Sequence, residues 1–364
     1  MDGTGPVIPR PPRVPLTRAR TIALTLLVAV CSLVVSLVGV AGSDVYLHHR
    51  AERYAGVNIW GYRGSTVPRK RPGEHRLVVL GGSTAFGYGV SWDEAFPAQL
   101  EADLRPLLRV HAPLSVVNLG YNSQGAYSFK FALDDFLGLD YDAAILYEGY
   151  NDLGDGPNYF VARRDSPIFR LTGYYPILPL YLREKAMAVR AGGDLAGAYR
   201  GKVVFKPGLA ARSTAQAFEA AAKIGFALSD QLDRFARSSK VEGDGWEIQV
   251  SDVGCGPRWR HYCGAVYDGV QFALEHQKKV LVVTQPYAVK AHEAQQAALR
   301  SMLDARFGTN PNVKYVNLGP LIDLKDSRLQ YDAVHLTAAG NAIVAADLVP
   351  TVVALMPEAF RPAP

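Results

Sequence analysis

The sequence predicts an α/β fold built around a mostly parallel β-sheet. From residue 76 onward, short apolar runs rich in β-branched residues alternate with longer segments of helical periodicity. This alternation is typical of parallel strands joined by crossover helices. A hydrophobic content of 49% with 20% charged residues is that of a folded protein. Strands are predicted at 77–80, 115–119, 143–147, 280–284 and 313–317.

The N-terminal region predicts a membrane anchor. Residues 1–20 hold five prolines and four arginines but little apolar surface, so they are expected to form a flexible tail. An uncharged apolar run of 21 residues follows at 21–41. It matches the ~20 residues that a helix needs to cross a bilayer. A buried core helix of this length would show a polar face, and this run shows none, so a single transmembrane helix is predicted at 21–41.

The charges around this helix predict its orientation. Four arginines precede the apolar run, whereas only Arg50 and Arg53 follow it closely. Because positive residues favour the cytosolic side, the tail is expected in the cytosol and the rest of the chain outside it. Gly39-Val40-Ala41 resembles a signal-cleavage site, but the apolar run is longer than the ~7–15 residues of a cleaved signal. We therefore expect a retained anchor, with 42–74 connecting it to a globular domain at 75–358.

The charge distribution argues against nucleic acid as a partner. The formal net charge is +5. The tail alone contributes +3, from four arginines against Asp2, which leaves +2 for everything after the apolar run. That remainder holds no basic run with interleaved aromatic residues, so no nucleic-acid partner is predicted.

A long interval at 153–277 interrupts the alternation of strands and helices. It is far longer than a single crossover helix requires, so an inserted cap segment is predicted there. An amphipathic helix is expected at 213–237. A stretch at 168–187 is rich in tyrosine, leucine and proline. It could line an acyl pocket, touch the bilayer or form the cap's own core, and the sequence leaves these alternatives open.

The cysteines predict one disulfide and no metal site. Cys255 and Cys263 flank a short segment that can close as a disulfide loop outside the cytosol. A zinc site would need further ligands at metal-binding spacing, and only His261 is near. No cofactor is predicted.

Ser83 is the first candidate for chemistry. The first predicted strand runs into Gly81-Gly82-Ser83-Thr84, a tight turn at the carboxyl edge of the sheet. Glycine before a serine permits close backbone approaches, so the hydroxyl can be held exposed while its own N–H points at a reacting oxygen. An ordinary helix N-cap serine is the alternative for this stretch taken alone.

Three further clusters supply the partners that a nucleophilic serine needs. Gly120 follows the second predicted strand, Asn151 follows the third, and Asp332 and His335 precede a final helix predicted at 337–355. Open α/β sheets gather their active sites at the carboxyl ends of the strands. A base must take the serine proton, an acid must orient that base, and donors must hold the oxyanion. An aspartate and a histidine separated by two residues can serve the first two tasks on one loop.

In this order the motifs resemble those of the SGNH hydrolases, the broad group that includes GDSL-type esterases and lipases. The four blocks are Gly81-Gly82-Ser83-Thr84, Asn118-Leu119-Gly120, Gly149-Tyr150-Asn151-Asp152 and Asp332-Ala333-Val334-His335. The resemblance covers about 75–152 and 278–356 and implies a flavodoxin-like three-layer α/β/α fold. It implies Ser83 as nucleophile, His335 as general base and Asp332 as its orienting acid. Ser83, Gly120 and Asn151 would form the oxyanion hole.

The nucleophile block departs from the pattern that gives the GDSL group its name. Gly82 stands where that pattern has aspartate, and Thr84 stands where it has leucine. Neither change touches a catalytic group. The long insertion is also unlike the compact members of the group.

Three functions compete at this point. The first is an extracytoplasmic serine hydrolase that cleaves acyl or acetyl esters, on envelope glycan or lipid. The second is an O-acyltransferase on the same substrates, because one triad serves both reactions. The third is a tethered binding module without turnover. Glu148 and Asp152 also form a carboxylate pair of the kind glycosidases use, but the serine constellation accounts for more residues.

Overall fold

The structure is a computed structural model that describes residues 17–52, 56–109, 112–154, 156–164, 166–190, 209–238 and 250–361. It divides into two compact units, one up to Tyr46 and one from Leu47 onward. Residues 1–16 of the predicted tail lie outside the described part.

Helix α1 spans Arg18–Ala51 and includes the whole predicted membrane span. By length and composition it is a candidate to cross a bilayer. Its large apolar side chains from Ile22 to Val40 are exposed, which suits a hydrocarbon environment, where a helix satisfies its own backbone groups. No proline occurs between 42 and 51, so the helix continues past the apolar run into the predicted connection.

The second unit is built on one parallel sheet, which confirms the predicted fold class. In the described residues, five strands lie in the order β2-β1-β3-β4-β5, and every neighbouring pair is parallel. This order is that of flavodoxin-like sheets. Each strand overlaps its predicted segment. The strands are β1 His75–Gly81, β2 Leu114–Asn118, β3 Ala143–Tyr147, β4 Lys279–Thr284 and β5 Val313–Asn317.

Helices cover both faces of this sheet. Among the described residues, the helices that begin in the second unit are α2 Ser83–Phe86, α3 Phe96–Leu104, α4 Ser128–Asp135, α5 Pro167–Thr172, α6 Leu178–Arg190, α7 Leu209–Ser238, α8 Gly256–Glu275, α9 Lys290–Phe307 and α10 Ala338–Leu355. Leu77 and Val79 of β1 point into a core with α3 and α10. Val78 and Leu80 point into a core with α4, α8 and α9. Successive side chains of a strand face opposite sides, so the buried run of β1 serves both cores.

Helix α10 shows why apolar length alone does not identify a membrane span. It passes the same test of length and composition as α1. Its Val344, Leu348 and Val352 are fully buried against the sheet. α10 is therefore a core helix.

Part of the segment predicted as a connection at 42–74 is packed into the second unit. The two ring nitrogens of His48 lie 2.7 Å from the carbonyl oxygen of Val57 and 2.8 Å from that of Tyr175. The Arg63 N–H donates to the Asn118 carbonyl at 2.9 Å. The chain around residues 57–63 therefore packs against the end of β2.

The predicted insertion at 153–277 contains two kinds of structure. Helices α6 and α7 pack on each other, and Pro179 lies against Gly225. Helix α8, by contrast, is the crossover helix between β3 and β4, because parallel neighbours need a connection that covers the sheet. The parts of the insertion at 191–208 and 239–249 lie outside the described residues.

Cys255 and Cys263 are joined by a disulfide. The bond links the N-cap of α8 to its second turn, and Cys263 is fully buried in the core.

Removing this disulfide should lower stability without altering the candidate site. Closing a loop this short is worth about 2–3 kcal/mol of unfolding free energy in the chain-entropy account. Cys255→Ala/Cys263→Ala should therefore unfold at lower denaturant concentration, measured by circular dichroism. Cys31→Ser, which changes the exposed cysteine of α1, is the control. Equal stability of the double variant and the parent would contradict the prediction.

Candidate active site

The candidate site lies where β1 and β3 end. The chain leaves β1 toward β2 on one side and leaves β3 toward β4 on the other, so the crevice between them is the switch point of the sheet. Doubly wound sheets bind their ligands at this point. Gly81 pairs with Tyr147, so the residues that directly follow the two strands meet.

Two glycines allow this close approach. A side chain at Gly81 would clash with the Tyr147 carbonyl, and one at Gly82 would clash with the side chains of Asn151 and Glu148. Both positions need the absence of a Cβ atom. The pair lets β1 turn directly into α2 against the end of β3.

The structure brings Ser83, His335 and Asp332 together. His335 Nε2 lies 2.7 Å from Ser83 Oγ, and His335 Nδ1 lies 2.6 Å from Asp332 Oδ2. With Nδ1 donating to the carboxylate, Nε2 is left to accept the serine hydroxyl hydrogen. The three side chains form one continuous hydrogen-bonded chain, which is the arrangement that serine catalysis requires.

Asp332 shapes the loop that carries it. Its Oδ1 accepts the N–H groups of Val334 at 3.1 Å and His335 at 2.7 Å, and Ala333 adopts a left-handed conformation with φ of 68°. Partial burial raises the pKa of Asp332, but the hydrogen bonds from the His335 side chain and backbone outweigh it. The pKa therefore lies below its ordinary value, which keeps the carboxylate ionised beside the imidazole.

Two tyrosine rings contact the imidazole of His335. The ring centroid of Tyr88 lies 4.9 Å from that of His335, and Tyr331 stacks on the same ring at 5.9 Å. The Tyr331 hydroxyl donates to the Tyr88 carbonyl. Neither tyrosine was among the residues predicted from the sequence, because neither belongs to a motif.

The three predicted oxyanion donors are placed differently. The Ser83 N–H lies at the first position of α2, where no earlier turn of the helix can accept it. One Asn151 Nδ2 hydrogen donates to the Gln124 carbonyl at 2.9 Å. The Asn151 side chain also lowers the pKa of Glu148 by hydrogen bonding to it, so its second hydrogen would meet an oxyanion by turning from that carboxylate. The Gly120 N–H donates to the Asn118 side chain at 3.0 Å. Gly120 therefore has its N–H engaged within its own turn.

Glu148 is the residue that sequence reasoning missed. It is 2% exposed. Its Oε2 accepts the Gly82 N–H at 2.5 Å. Its Oε1 accepts the N–H groups of Gly149 at 2.9 Å and Asn151 at 3.1 Å. One carboxylate thus ties the residue before the nucleophile to the residue that carries the oxyanion amide.

A second carboxylate, that of Asp152, lies close to Glu148. Asp152 Oδ2 accepts the Ala126 N–H at 2.8 Å. Burial raises the pKa of both acids, and the Glu148 charge raises that of Asp152 further. Three N–H donors favour the ionised form of Glu148, so Asp152 is the acid that holds a proton.

Helix α9 supports the turn after β3 from behind. A side chain at Gly149 would lie 2.5 Å from Gln296 Nε2 and 2.8 Å from His292 Nε2, so glycine is needed there too. Burial lowers the pKa of His292 to about 4, which keeps this buried ring neutral. Within the described residues, no group of three or more histidines, cysteines or carboxylates is placed to hold a metal ion.

Comparisons with known proteins yield solved structures only. No protein-family profile and no curated protein matches the sequence. A lipolytic protein of the G-D-S-L family from Desulfitobacterium hafniense matches with 12% identity and a TM-score of 0.39, over 75% of this chain and 98% of that one. A family 3 carbohydrate esterase from Clostridium thermocellum matches with 10% identity and a TM-score of 0.41, over 79% and 99%.

A third similar structure is a GDSL-like lipase from Bacteroides thetaiotaomicron, with 13% identity and a TM-score of 0.39, over 79% of this chain and 91% of that one. Identities and TM-scores this low do not transfer an activity. The chemistry of the site rests on its own geometry.

Changing Glu148 should impair turnover more than binding. In Glu148→Gln, the amide can keep its oxygen toward Asn151 only by turning its NH₂ group against the Gly82 N–H. A buried donor left without an acceptor costs about 1–3 kcal/mol, and the displaced turn misplaces Ser83. We expect kcat to fall roughly 10–100-fold with little change in KM, since a lost transition-state contact of this size has that effect. The measurement is steady-state hydrolysis of a short-chain ester.

Two variants separate this role from a purely structural one. Glu101→Gln is the matched control, because Glu101 accepts the Val116 N–H at 2.8 Å away from the site. If Glu148 also positions Asn151, Glu148→Gln should cost less activity in an Asn151→Ala background, whereas additive losses would show that it acts through Gly82 and Ser83 alone. An equal loss of kcat in Glu101→Gln would show that Glu148 only stabilises the fold.

The raised pKa of Asp152 predicts a pH-dependent stability difference. Its folded pKa lies above its unfolded value, so the folded state holds a proton that the unfolded chain has lost, and stability falls as pH rises through that window. Asp152→Asn mimics the protonated acid. Its melting temperature should exceed that of the parent at pH 8, and the gain should shrink toward pH 5. Asp103→Asn, at an exposed site, is the control, and a gain that does not vary with pH would refute the assignment.

Proposed function

We propose that this chain is a membrane-anchored, extracytoplasmic serine hydrolase of the SGNH type that cleaves carboxylic esters. The observation that carries the proposal is the unbroken hydrogen-bonded series from Ser83 through His335 to Asp332. It joins a nucleophile to its base and the base to its orienting acid, across two parts of the chain far apart in sequence. The carboxyl edge at the switch point is also where such a fold takes substrates.

The first half-reaction forms an acyl-enzyme. Ser83 Oγ attacks the ester carbonyl carbon while His335 Nε2 takes the hydroxyl proton, and Asp332 stabilises the resulting imidazolium. The carbonyl oxygen becomes an oxyanion that the Ser83 N–H and the second Asn151 Nδ2 hydrogen stabilise. His335 then returns the proton to the alcohol oxygen as the carbon–oxygen bond breaks. The alcohol leaves, and the acyl group remains on Ser83.

The second half-reaction restores the serine. A water molecule gives a proton to His335 Nε2 and attacks the acyl carbon, and collapse of the oxyanion releases the carboxylic acid. The proton goes back to Ser83 Oγ. A sugar hydroxyl in place of water would give O-acyl transfer by the same steps, so the two reactions differ only in the acceptor.

Gly120 has a packing role in this proposal. A side chain there would lie 2.6 Å from the Phe86 N–H, so its absence lets the loop after β2 sit on the first turn of α2. Its N–H could join the oxyanion hole only by leaving the Asn118 side chain. Ser83 and Asn151 are the donors that carry the proposal.

The location outside the cytosol rests on three features. The exposed apolar surface of α1 suits a bilayer, and the arginines before it favour a cytosolic N-terminus. The disulfide between Cys255 and Cys263 fits an oxidising compartment.

A membrane-impermeant fluorophosphonate probe tests activity and location together. It should label Ser83 on spheroplasts that express the full chain, without lysis. Ser83→Ala should abolish labelling, and Asp332→Asn should reduce kcat by about 10³–10⁴-fold, because the imidazole loses its orienting charge. Ser301→Ala, at an exposed serine of α9, is the control.

Each result is decisive for one part of the proposal. Labelling only after lysis would overturn the location. Labelling that survives Ser83→Ala would overturn Ser83 as the nucleophile, and no turnover of any ester by the parent would overturn the activity and favour a binding module. Release of free acid against transfer to an added sugar acceptor distinguishes hydrolysis from acyl transfer.

A further inference from the structure

Two partly exposed tyrosines lie beside His335 in the candidate site. Tyr88 is 41% exposed and Tyr331 is 46% exposed, although both rings also contact the imidazole of His335. Neighbouring aromatic side chains that are half open to solvent beside a reactive group form a candidate ligand-binding surface. Neither ring is used by the chemical steps of the proposed reaction.

The reaction itself fixes which half of the ester meets these rings. His335 Nε2 delivers its proton to the leaving alcohol oxygen, so that oxygen must come within hydrogen-bond distance of Nε2. The carbonyl oxygen lies instead toward the Ser83 N–H and the Asn151 amide. The alcohol half of the substrate therefore lies on the His335 side, next to the two tyrosines.

The rings are held in place before any substrate binds. Gly89 adopts a left-handed conformation with φ of 90°, and a side chain there would clash with the Tyr331 ring. The Tyr331 hydroxyl donates to the Tyr88 carbonyl, and the Tyr331 N–H donates to the His335 carbonyl at 3.2 Å. A surface fixed in this way binds a ligand without the entropy cost of ordering two side chains.

We infer that Tyr88 and Tyr331 form the subsite for the alcohol half of the ester, and that this alcohol is a sugar ring. The inference rests on the proposed hydrolase function and names its substrate class. A pyranose ring is rigid and has a face of C–H groups that covers an aromatic ring, while its hydroxyls can reach the phenol oxygens. Tyrosine offers an apolar face and a polar tip together, which matches that amphipathic shape.

The same features disfavour a lipid alcohol. A glycerol unit is small and flexible and has no flat face to cover two fixed rings. A long acyl chain would require an enclosed apolar pocket, and in any case the acyl half lies away from His335. The open tyrosine pair thus favours glycan over lipid, the two envelope substrates that the sequence left undecided.

The test compares esters that share one acyl group and differ in the alcohol. The full chain in detergent is assayed on methyl 6-O-acetyl-glucopyranoside, glycerol monoacetate and ethyl acetate. The parent should show the highest kcat/KM for the pyranoside. Tyr331→Ala and Tyr88→Ala should each lower the pyranoside-to-ethyl ratio of kcat/KM by about tenfold, the effect of losing one aromatic contact. Because the ratio is taken within one preparation, partial unfolding of a variant cancels.

Control variants define the role of the rings. Tyr331→Phe keeps the ring and should keep most of the preference. Tyr159→Ala removes another tyrosine that is 55% exposed. Tyr159 hydrogen-bonds His261 and does not contact His335, so this variant should leave the pyranoside-to-ethyl ratio of kcat/KM unchanged. An equal loss on all three esters would show that the rings only position the imidazole. A glycerol ester cleaved as well as the pyranoside would overturn the sugar assignment.

A binding measurement keeps this inference separate from the hydrolase proposal. Titration calorimetry of the acetylated pyranoside with Ser83→Ala, where no turnover occurs, should give a Kd that rises about tenfold when Tyr331→Ala is added. Tyrosine-dependent binding without turnover by the parent would overturn the hydrolase and keep the sugar subsite. Turnover by the parent with a Kd that does not depend on Tyr331 would keep the hydrolase and overturn the subsite.

Discussion

The buried carboxylate of Glu148 is the contact on which the candidate site depends. Two parallel strands that end side by side leave backbone N–H groups beyond their last sheet hydrogen bonds, and a buried N–H must find an acceptor. Glu148 accepts three of them, from Gly82, Gly149 and Asn151. Because Ser83 follows Gly82 directly, this one side chain fixes the nucleophile relative to the amide that would stabilise the oxyanion. The glycines at 81 and 82 serve the same end by letting the two turns touch.

This arrangement places a charge where burial disfavours it. A carboxylate with no cationic partner inside a protein is expensive even when it is fully hydrogen-bonded, and here the acid of Asp152 lies beside it. The proton held by Asp152 reduces that repulsion and leaves the Glu148 charge to its three donors. Local features that lower stability, such as buried charges, concentrate at functional sites, where the position of a side chain matters more than the stability it contributes. The pair at Glu148 and Asp152 fits that pattern.

The sequence sufficed for the fold, but not for the contacts that hold the candidate site. The bounds of β3 and β5 follow from apolar runs whose signal is local, and the observed sheet order is the one that the family resemblance implied. The role of Glu148 was not predicted because it depends on which strand lies next to β1, and no local sequence pattern encodes that neighbour. The Gly120 N–H was assigned to the oxyanion hole because the motif names the residue and not its neighbour, and Asn118 is that neighbour. The packing of residues 57–63 was not predicted either, since it depends on hydrogen bonds that link His48 to Tyr175 and Arg63 to Asn118, far apart in sequence.

The residues of the candidate site lie on segments of the chain that differ in rigidity. Ser83 and Asn151 lie in the turns that follow the buried strands β1 and β3, whereas His335 lies on an exposed loop with Tyr331. That loop gains its order from the Asp332 turn and from the bond between Tyr331 and the Tyr88 carbonyl. A sugar that stacks on these two rings therefore also restricts the movement of the imidazole that they contact. The sugar does not react, but the binding energy it supplies then holds His335 in line with Ser83. This raises kcat instead of only lowering KM. Substrate choice and chemistry meet at His335, because the two rings that would bind the sugar also contact the imidazole that transfers the proton.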